Sequence, residues 1–316
     1  MEERWTRRRF LTWAAALIAS GAVFGSGCAG PSASPTASRR SAPTPAADQA
    51  YLAVAHGPDP AAITERAIAA LGGIERFVKA GDAVVLKPNI CVDYNPPEYA
   101  ATTNPLVVAT LVKLCLGAGA REVKVMDMPF GGTPESAYEI SGIAKAVKDA
   151  GGEMVVMNRA KYLETQIPEG RDLQSWEIYG DVVNADVLIN IPIAKHHSLA
   201  RLSLGLKNLL GTVARPNQIH SNLGQRIADL ASVIRPTLTV VDAVRILMDH
   251  GPTGGSLNDV KQADTIIASH DFVAADTRAA ALFDLESTEI AFIHAAGEMG
   301  LGKTDLSGLR VEEFNI

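Results

Sequence analysis

The segment Ala194–His220, AKHHSLARLSLGLKNLLGTVARPNQIH, sets His196, His197 and His220 with Lys195, Lys207, Arg201 and Arg215 around a leucine- and glycine-rich centre. Each of these residue types brings a defined capability. A neutral imidazole ligates metals and, near neutral pH, serves as general acid or base. An amine flanked by leucines, as Lys207 is, loses hydration, which lowers its pKa and makes it nucleophilic or an efficient proton carrier. Arg201 and Arg215 can grip a carboxylate or phosphate through two parallel hydrogen bonds. Lys207, His197 and His220 are therefore the catalytic candidates. His197, His220 and Asp271 are the candidate metal ligands, with Asp242 able to orient an imidazole. Lys87, Asn89, Lys195, Asn208, Arg215 and Asp242 are candidates for holding a cofactor. Plainer roles stand beside these. Asp271 also reads as an N-cap for a helix from Phe272, and Asp276 as an ion-pair partner on that helix. His56, His250 and His294 read as surface or capping residues.

These residues need a scaffold, and the hydrophobic pattern supplies one. Ala83–Leu86 reads as a strand ending at Lys87-Pro88-Asn89. Pro105 opens a helix with Val108, Leu111, Val112 and Cys115 on one face. Val123–Met126 is the next strand, Ile140 to Val147 a helix, and Met154–Met157 a strand. The rhythm resumes with the strand Val187–Ile191, a helix through Ile227 and Ile234, and the strands Thr237–Val241 and Thr265–Ala268. Alternating strands and helices call for an α/β fold, a mostly parallel sheet flanked by helices, in one body or in two lobes with a cleft. Lys87 and Asn89, Asp127, Lys195 to His197, and Asp242 all follow strands. In open α/β sheets ligands bind beyond the carboxyl ends of the strands, so these residues can converge. For Asp127, a loop meeting water is explanation enough.

The chain has 316 residues, 35 acidic against 29 basic, for a net charge of −6. Met1–Gly27 holds four arginines against Glu2 and Glu3, leaving −8 for the remainder. Such a body lacks the basic face that a nucleic-acid binder needs, so nucleic acid is not an expected partner. Thr6-Arg7-Arg8-Arg9-Phe10-Leu11 precedes the apolar run Trp13–Phe24, too short for a stable membrane anchor but suited to a signal peptide over residues 1–30. The pattern resembles the twin-arginine export signal, whose machinery moves folded proteins; an arginine-rich ordinary secretory signal is the alternative. Cys28 follows Gly25-Ser26-Gly27, which resembles a lipoprotein cleavage box, with glycine where leucine is usual. Cys28 is thus a candidate lipidation site and membrane anchor, or else is lost with the signal or left in a tail. Residues 31–50, rich in Pro, Ser and Ala, read as a tether, and 51–316 as the folded domain. Only Cys91 and Cys115 lie in that domain. They are too few for an iron–sulfur cluster within one chain. They form either one disulfide or, with Cys115 on an apolar helix face, buried thiols.

Val84 to Asn89, Asn104-Pro105, Leu188 to Pro192 with Lys195 and His196, Leu204 to Gly211, Val241-Asp242, Gly251-Pro252 and Ser269 to Asp276 resemble the domain-of-unknown-function 362 family over Val84–Gly302. Members with a ferredoxin-like cluster domain carry cysteines that this chain lacks. His197, Lys207 ten residues on, and His220 also resemble the nickel-pincer lactate racemases, although Leu204-Gly205-Leu206 replaces their glycine run. That resemblance implies a lysine tethering an organic pincer, with histidines as metal ligand and proton shuttle. Two functions follow from the sequence. One is an exported enzyme, an oxidoreductase or isomerase of small anionic substrates using a metal-containing cofactor. The other is a non-catalytic, membrane-tethered binding protein for a small anion.

Overall fold

The computed structural model describes residues 43–46 and 49–316. The expected signal peptide, Cys28 and most of the tether lie outside the described residues. The folded part begins with β1 (Leu52–His56) and α1 (Pro60–Ala70), whose first turn is capped by the Asp59 carboxylate. A buried strand β2 (Ala83–Pro88) leads to α2 (Pro105–Gly117), with Asn104 as its cap and Pro105 at its first position. Pro105 suits that place because its ring presets the helical φ and the first N–H has no helical acceptor. Next come β3 (Glu122–Val125), α3 (Pro134–Ile140), α4 (Ile143–Asp149) and the two-residue β4 (Glu153–Met154). The single helix expected over Ile140–Val147 is broken, because Gly142 turns the chain with φ +71°.

A hairpin of β5 (Tyr162–Gln166) and β6 (Ser175–Tyr179) stands apart from the main sheet. The chain returns through α5 (Gly180–Asn184) to β7 (Val187–Ile191), every residue of which is buried. After Pro192 it does not loop out. It re-enters the sheet as β8 (Ile193–His197), paired with β10 (Leu238–Leu247) and with the short β9 (Arg201–Ser203). Between them, α6 (Gly205–Asn208) and α7 (Leu223–Ile234) pack over the sheet. β11 (Val260–Ser269), α8 (Phe272–Ala280), α9 (Ala291–Glu298) and β12 (Val311–Asn315) complete the chain.

The strand order is β12-β1-β11-β10-β7-β2-β3-β4, with β8 and β9 branching from β10. From β10 to β4 the neighbours are parallel, and β11 is antiparallel to both β10 and β1. The fold is α/β, with a mostly parallel mixed sheet flanked by helices. β10 and β11 run five or more residues beyond the short apolar cores read from sequence, because the outer half of β10 pairs with β8 on one side and β11 on the other, with polar Lys261 and Gln262 of β11 exposed. Alternate residues supply two cores. Val84, Leu86, Val187, Ile189 and Val240 pack under α1, α2 and α4, whereas Val85, Leu188 and Val241 face α7, α8 and α9. Period-two alternation then puts Lys87 and Asn190 on the second face, and the register pairs them directly across β2 and β7. The described residues fall within one contact unit, not two lobes. None of their helices is long and apolar enough to cross a membrane.

Candidate functional site

β2 is followed by β3 and β4 on one side, while β7 and β10 lie on its other side. The sheet therefore changes its direction of growth between β2 and β7, the place where a crevice opens beyond the strand ends. There a cavity of about 320 Å³ is lined by Lys87, Asn89, Lys195, His197, Lys207, Asn208 and His220. Cys91, Asp127 and Ser203 also line it, as does the loop Met128–Phe130, whose Phe130 stands exposed at the rim. The structure thus gathers all three catalytic candidates and four of the six cofactor-holding candidates in one cleft.

Two of its lysines are each held by three protein oxygens. An ammonium has three donors. Lys87 Nζ, at the end of β2, meets Asp127 Oδ1 at 2.7 Å, Asn208 Oδ1 at 2.7 Å and the Pro88 carbonyl at 2.8 Å. Lys195 Nζ donates to Asn89 Oδ1 at 3.0 Å, to the Ala101 carbonyl at 2.6 Å and to the Pro252 carbonyl at 2.8 Å. Both side chains are 1 % exposed. Burial pushes the Lys87 amine down and the Asp127 carboxyl up, and each is drawn back by its partner. Asparagines knit these groups together. Asn208 Nδ2 donates to Asn190 Oδ1 at 2.8 Å, and Asn190 Nδ2 to the Gly205 carbonyl at 2.8 Å. Lys87 and Lys195 accordingly shape the field of the cleft rather than offering donors to a ligand, which refines the direct binding role expected for them.

Lys207 differs. It projects from α6 into the cleft, is half-buried, and has no hydrogen bond or ion pair to any described residue. Burial, reinforced by Lys195, lowers its pKa to about 8. The turn that presents it is pinned from below. Asp276, fully buried on α8, accepts from Gly205 N at 2.6 Å and Leu206 N at 2.8 Å. Burial raises this carboxyl to about 7. Asp276 therefore serves the Lys207 turn, not an ion pair on its own helix as the sequence suggested. Two glycines permit the close approach. A Cβ on Gly205 would stand 2.7 Å from Asp276 Oδ1, and one on Gly211 would stand 1.9 Å from Asp127 Oδ1.

The histidines present opposite faces. On β8, period two puts Lys195 and His197 on the inward face, with His196 on the other, less buried side. His197 Nδ1 accepts from Leu199 N at 3.1 Å and Ala200 N at 3.3 Å, so in the neutral ring the proton sits on Nε2. Burial, then Lys207 and Lys195, depress its pKa to about 3, which keeps the ring neutral. His220 Nδ1 lies 3.2 Å from the Asn217 carbonyl, which can only accept. In its neutral form His220 therefore carries the proton on Nδ1 and presents the Nε2 lone pair. One imidazole donates and the other accepts.

The remaining candidates lie elsewhere. Asp271 caps α8: its Oδ1 accepts from Val273 N and Ala274 N, both at 2.9 Å, and its Oδ2 from Tyr51 Oη at 2.6 Å and Lys303 N at 2.9 Å. Four donors occupy its lone pairs, so it is a cap and not a metal ligand. Arg215 pairs with Glu177 at 2.5 Å and lies over the Trp176 ring, outside the cleft lining. Arg201 pairs with Glu289 at the surface. Asp242 is buried, accepts from Asn104 N and Val244 N, and is pushed up to about 6 by burial. It fixes the start of α2 and contacts no part of the cavity. Among the described residues no three His, Cys, Asp or Glu side chains converge as a chain-held metal requires. With Asp271 committed and His197 presenting N–H, the expected metal set does not fit. Cys91 and Cys115 are free buried thiols, and burial raises Cys115 to about 12.

The profile of a family described as a domain of unknown function, DUF362, matches residues 84–281, which include every cleft residue named above. The chain belongs to the DUF362 family. A thylakoid-associated protein of Synechocystis sp. is 27 % identical over 243 residues, covering 74 % of this chain and 73 % of that protein. A solved structure, the lactate racemase apoprotein from Thermoanaerobacterium thermosaccharolyticum, aligns with a TM-score of 0.48 at 15 % identity. The alignment covers 77 % of this chain and 58 % of the racemase, so the chain spans well under two thirds of that enzyme's length.

Proposed function

We propose that this DUF362 protein is an enzyme that isomerises a small organic anion by proton transfer in the Lys207 cleft. The observation that carries this reading is the contrast among three lysines in one cavity. Lys87 and Lys195 are each held by three protein oxygens, and Lys207 donates to none of the described residues. A cation with unspent donors, beside two buried cations and one carboxylate, attracts an anion. His220 Nε2 offers a lone pair to take a proton from carbon. The neutral His197 Nε2–H can steady the oxyanion that develops, as preorganised donors do in enolising enzymes. Proton transfer, which the isomerase class expected from sequence requires, is within reach of these side chains.

The test is solvent-deuterium exchange into a panel of small hydroxy and oxo acids by the full chain, followed by NMR. Exchange with one of these acids that drops at least ~10²-fold in His220→Gln, the loss typical of a removed acid–base group, supports the reading. No exchange, together with anion binding unaffected by Lys207→Ala, supports the binding-protein alternative instead.

We further propose that the protein is exported by the twin-arginine route and tethered through Cys28. The thylakoid association of its relative supports a place at a membrane. Arg7→Lys with Arg8→Lys should leave the folded protein in the cytoplasm; unchanged export would refute the twin-arginine assignment.

A further inference from the structure

The isomerase reading leaves one property of the cleft unused, the nucleophilicity of its free amine. A lysine becomes a nucleophile at ordinary pH when it is desolvated or set beside other cations. Both conditions hold for Lys207. It is half-buried against Leu206 and the cavity wall, and Lys195 and Lys87 act on it from the same cavity. Among the described residues no acceptor holds its ammonium form, in contrast to the three oxygens around Lys87 and the three around Lys195. The amine is also rigidly delivered. Its turn is fixed by two hydrogen bonds to buried Asp276 and by Gly205 seated directly on the sheet. A group meant only to neutralise an anion needs neither the desolvation nor the neighbouring positive charges, since both weaken its protonated form.

We propose that Lys207 Nζ condenses with the carbonyl of a small oxo acid to form an imine, and that isomerisation proceeds from this covalent adduct. The proposal rests on the anion-cleft reading above and deepens it. The Nζ lone pair attacks the carbonyl carbon, the C–N bond forms, and the carbonyl π electrons move to oxygen, which accepts a hydrogen bond from His197 Nε2–H. His220 Nε2 carries a proton from nitrogen to that oxygen, giving the carbinolamine. A second proton, drawn from solvent through His220 Nε2, converts the hydroxyl to water, which leaves as C=N forms and gives the protonated imine. Amine and carbonyl have then become imine and water with no oxidant or reductant consumed. The protonated imine draws electrons from the adjacent carbon, so its C–H is acidified for removal by His220. Ser203, in register with Lys195 on the paired strand and lining the cavity, supplies a hydroxyl for the acid's carboxylate.

The experiment treats the full chain with glyoxylate or pyruvate and sodium cyanoborohydride, then maps peptides by mass spectrometry. The expected result is an increment equal to the acid less one oxygen atom, concentrated on Lys207 and formed at least ~10-fold faster there than on surface lysines, as a pKa lowered by burial to about 8 allows at neutral pH. A non-carbonyl acid such as lactate should slow it by competition. Lys207→Arg keeps the cation, removes the nucleophile, and should abolish the increment while still binding lactate, read by calorimetry. Lactate binding with no preferential labelling of Lys207 overturns the imine and leaves the anion cleft standing. Absence of any anion binding, with labelling spread evenly over surface lysines, overturns both.

Discussion

Two corners of this molecule look alike in sequence and differ in what they leave unspent. At the β1–β11 corner, Ser269-His270-Asp271 follows a strand and precedes a helix. At the β2–β7 crevice, Lys87, Lys195 and Lys207 gather by the same logic of polar strand ends. The Asp271 carboxylate is consumed by two helix N–H groups, a tyrosine hydroxyl and the Lys303 N–H. Lys207 is consumed by none of the described residues. A buried polar group that satisfies its neighbours is holding a fold together; one that is desolvated and has donors left over is a functional candidate. The crevice contains both kinds within one cavity.

That comparison can be broken by substitution, and the largest effect belongs to the ion pair. Lys87→Met strips Asp127 of its cation while leaving the carboxyl buried, and should cost roughly 3–5 kcal/mol of stability, the usual penalty for breaking a buried pair from one side. Denaturant unfolding checks it; a loss under 1 kcal/mol would show that the pair is not held as described. Asp271→Ala removes a helix cap and leaves the Tyr51 hydroxyl and Lys303 N–H without their acceptor, at a cost of about 2–3 kcal/mol. It should leave anion affinity in the cleft unchanged, and an affinity loss above threefold would mean the two corners are coupled. The smallest effect on stability is expected at Lys207. Its depressed pKa means the folded state sheds a proton that the unfolded chain keeps between about pH 8 and the ordinary lysine range. Stability from this group is therefore lowest below pH 8 and rises as pH climbs through that window. Lys207→Met should remove this rise and, at pH 7, make the protein no less stable.

Much of this was legible from sequence for physical reasons. Strands β2 and β7 are continuous apolar runs ending in polar residues, and α2 carries its Asn-Pro start, so the parallel half of the sheet and its ligand-bearing edge could be read directly. Lys207, His197 and His220 stood out by local clustering. What escaped was set by contacts distant in sequence. Asp127 read as a loop residue because its partner, Lys87, sits on the neighbouring strand. Asp276 gave no sign of serving a turn some seventy residues earlier. The histidine strand β8 was hidden by Pro192, which ends β7 without ending the sheet. Asp271 and Asp242 were credited with chemistry because a residue type reveals capacity, whereas only coordinates show whether that capacity is already used.

Competitive labelling with trace acetic anhydride across pH shows directly whether Lys207 is the desolvated, uncommitted amine of an anion cleft. Lys207 should titrate near pH 8 and be protected by lactate, while Lys87 and Lys195 stay unlabelled as long as the protein is folded. Titration of Lys207 alongside the surface lysines, with no protection by any small anion, would contradict that role.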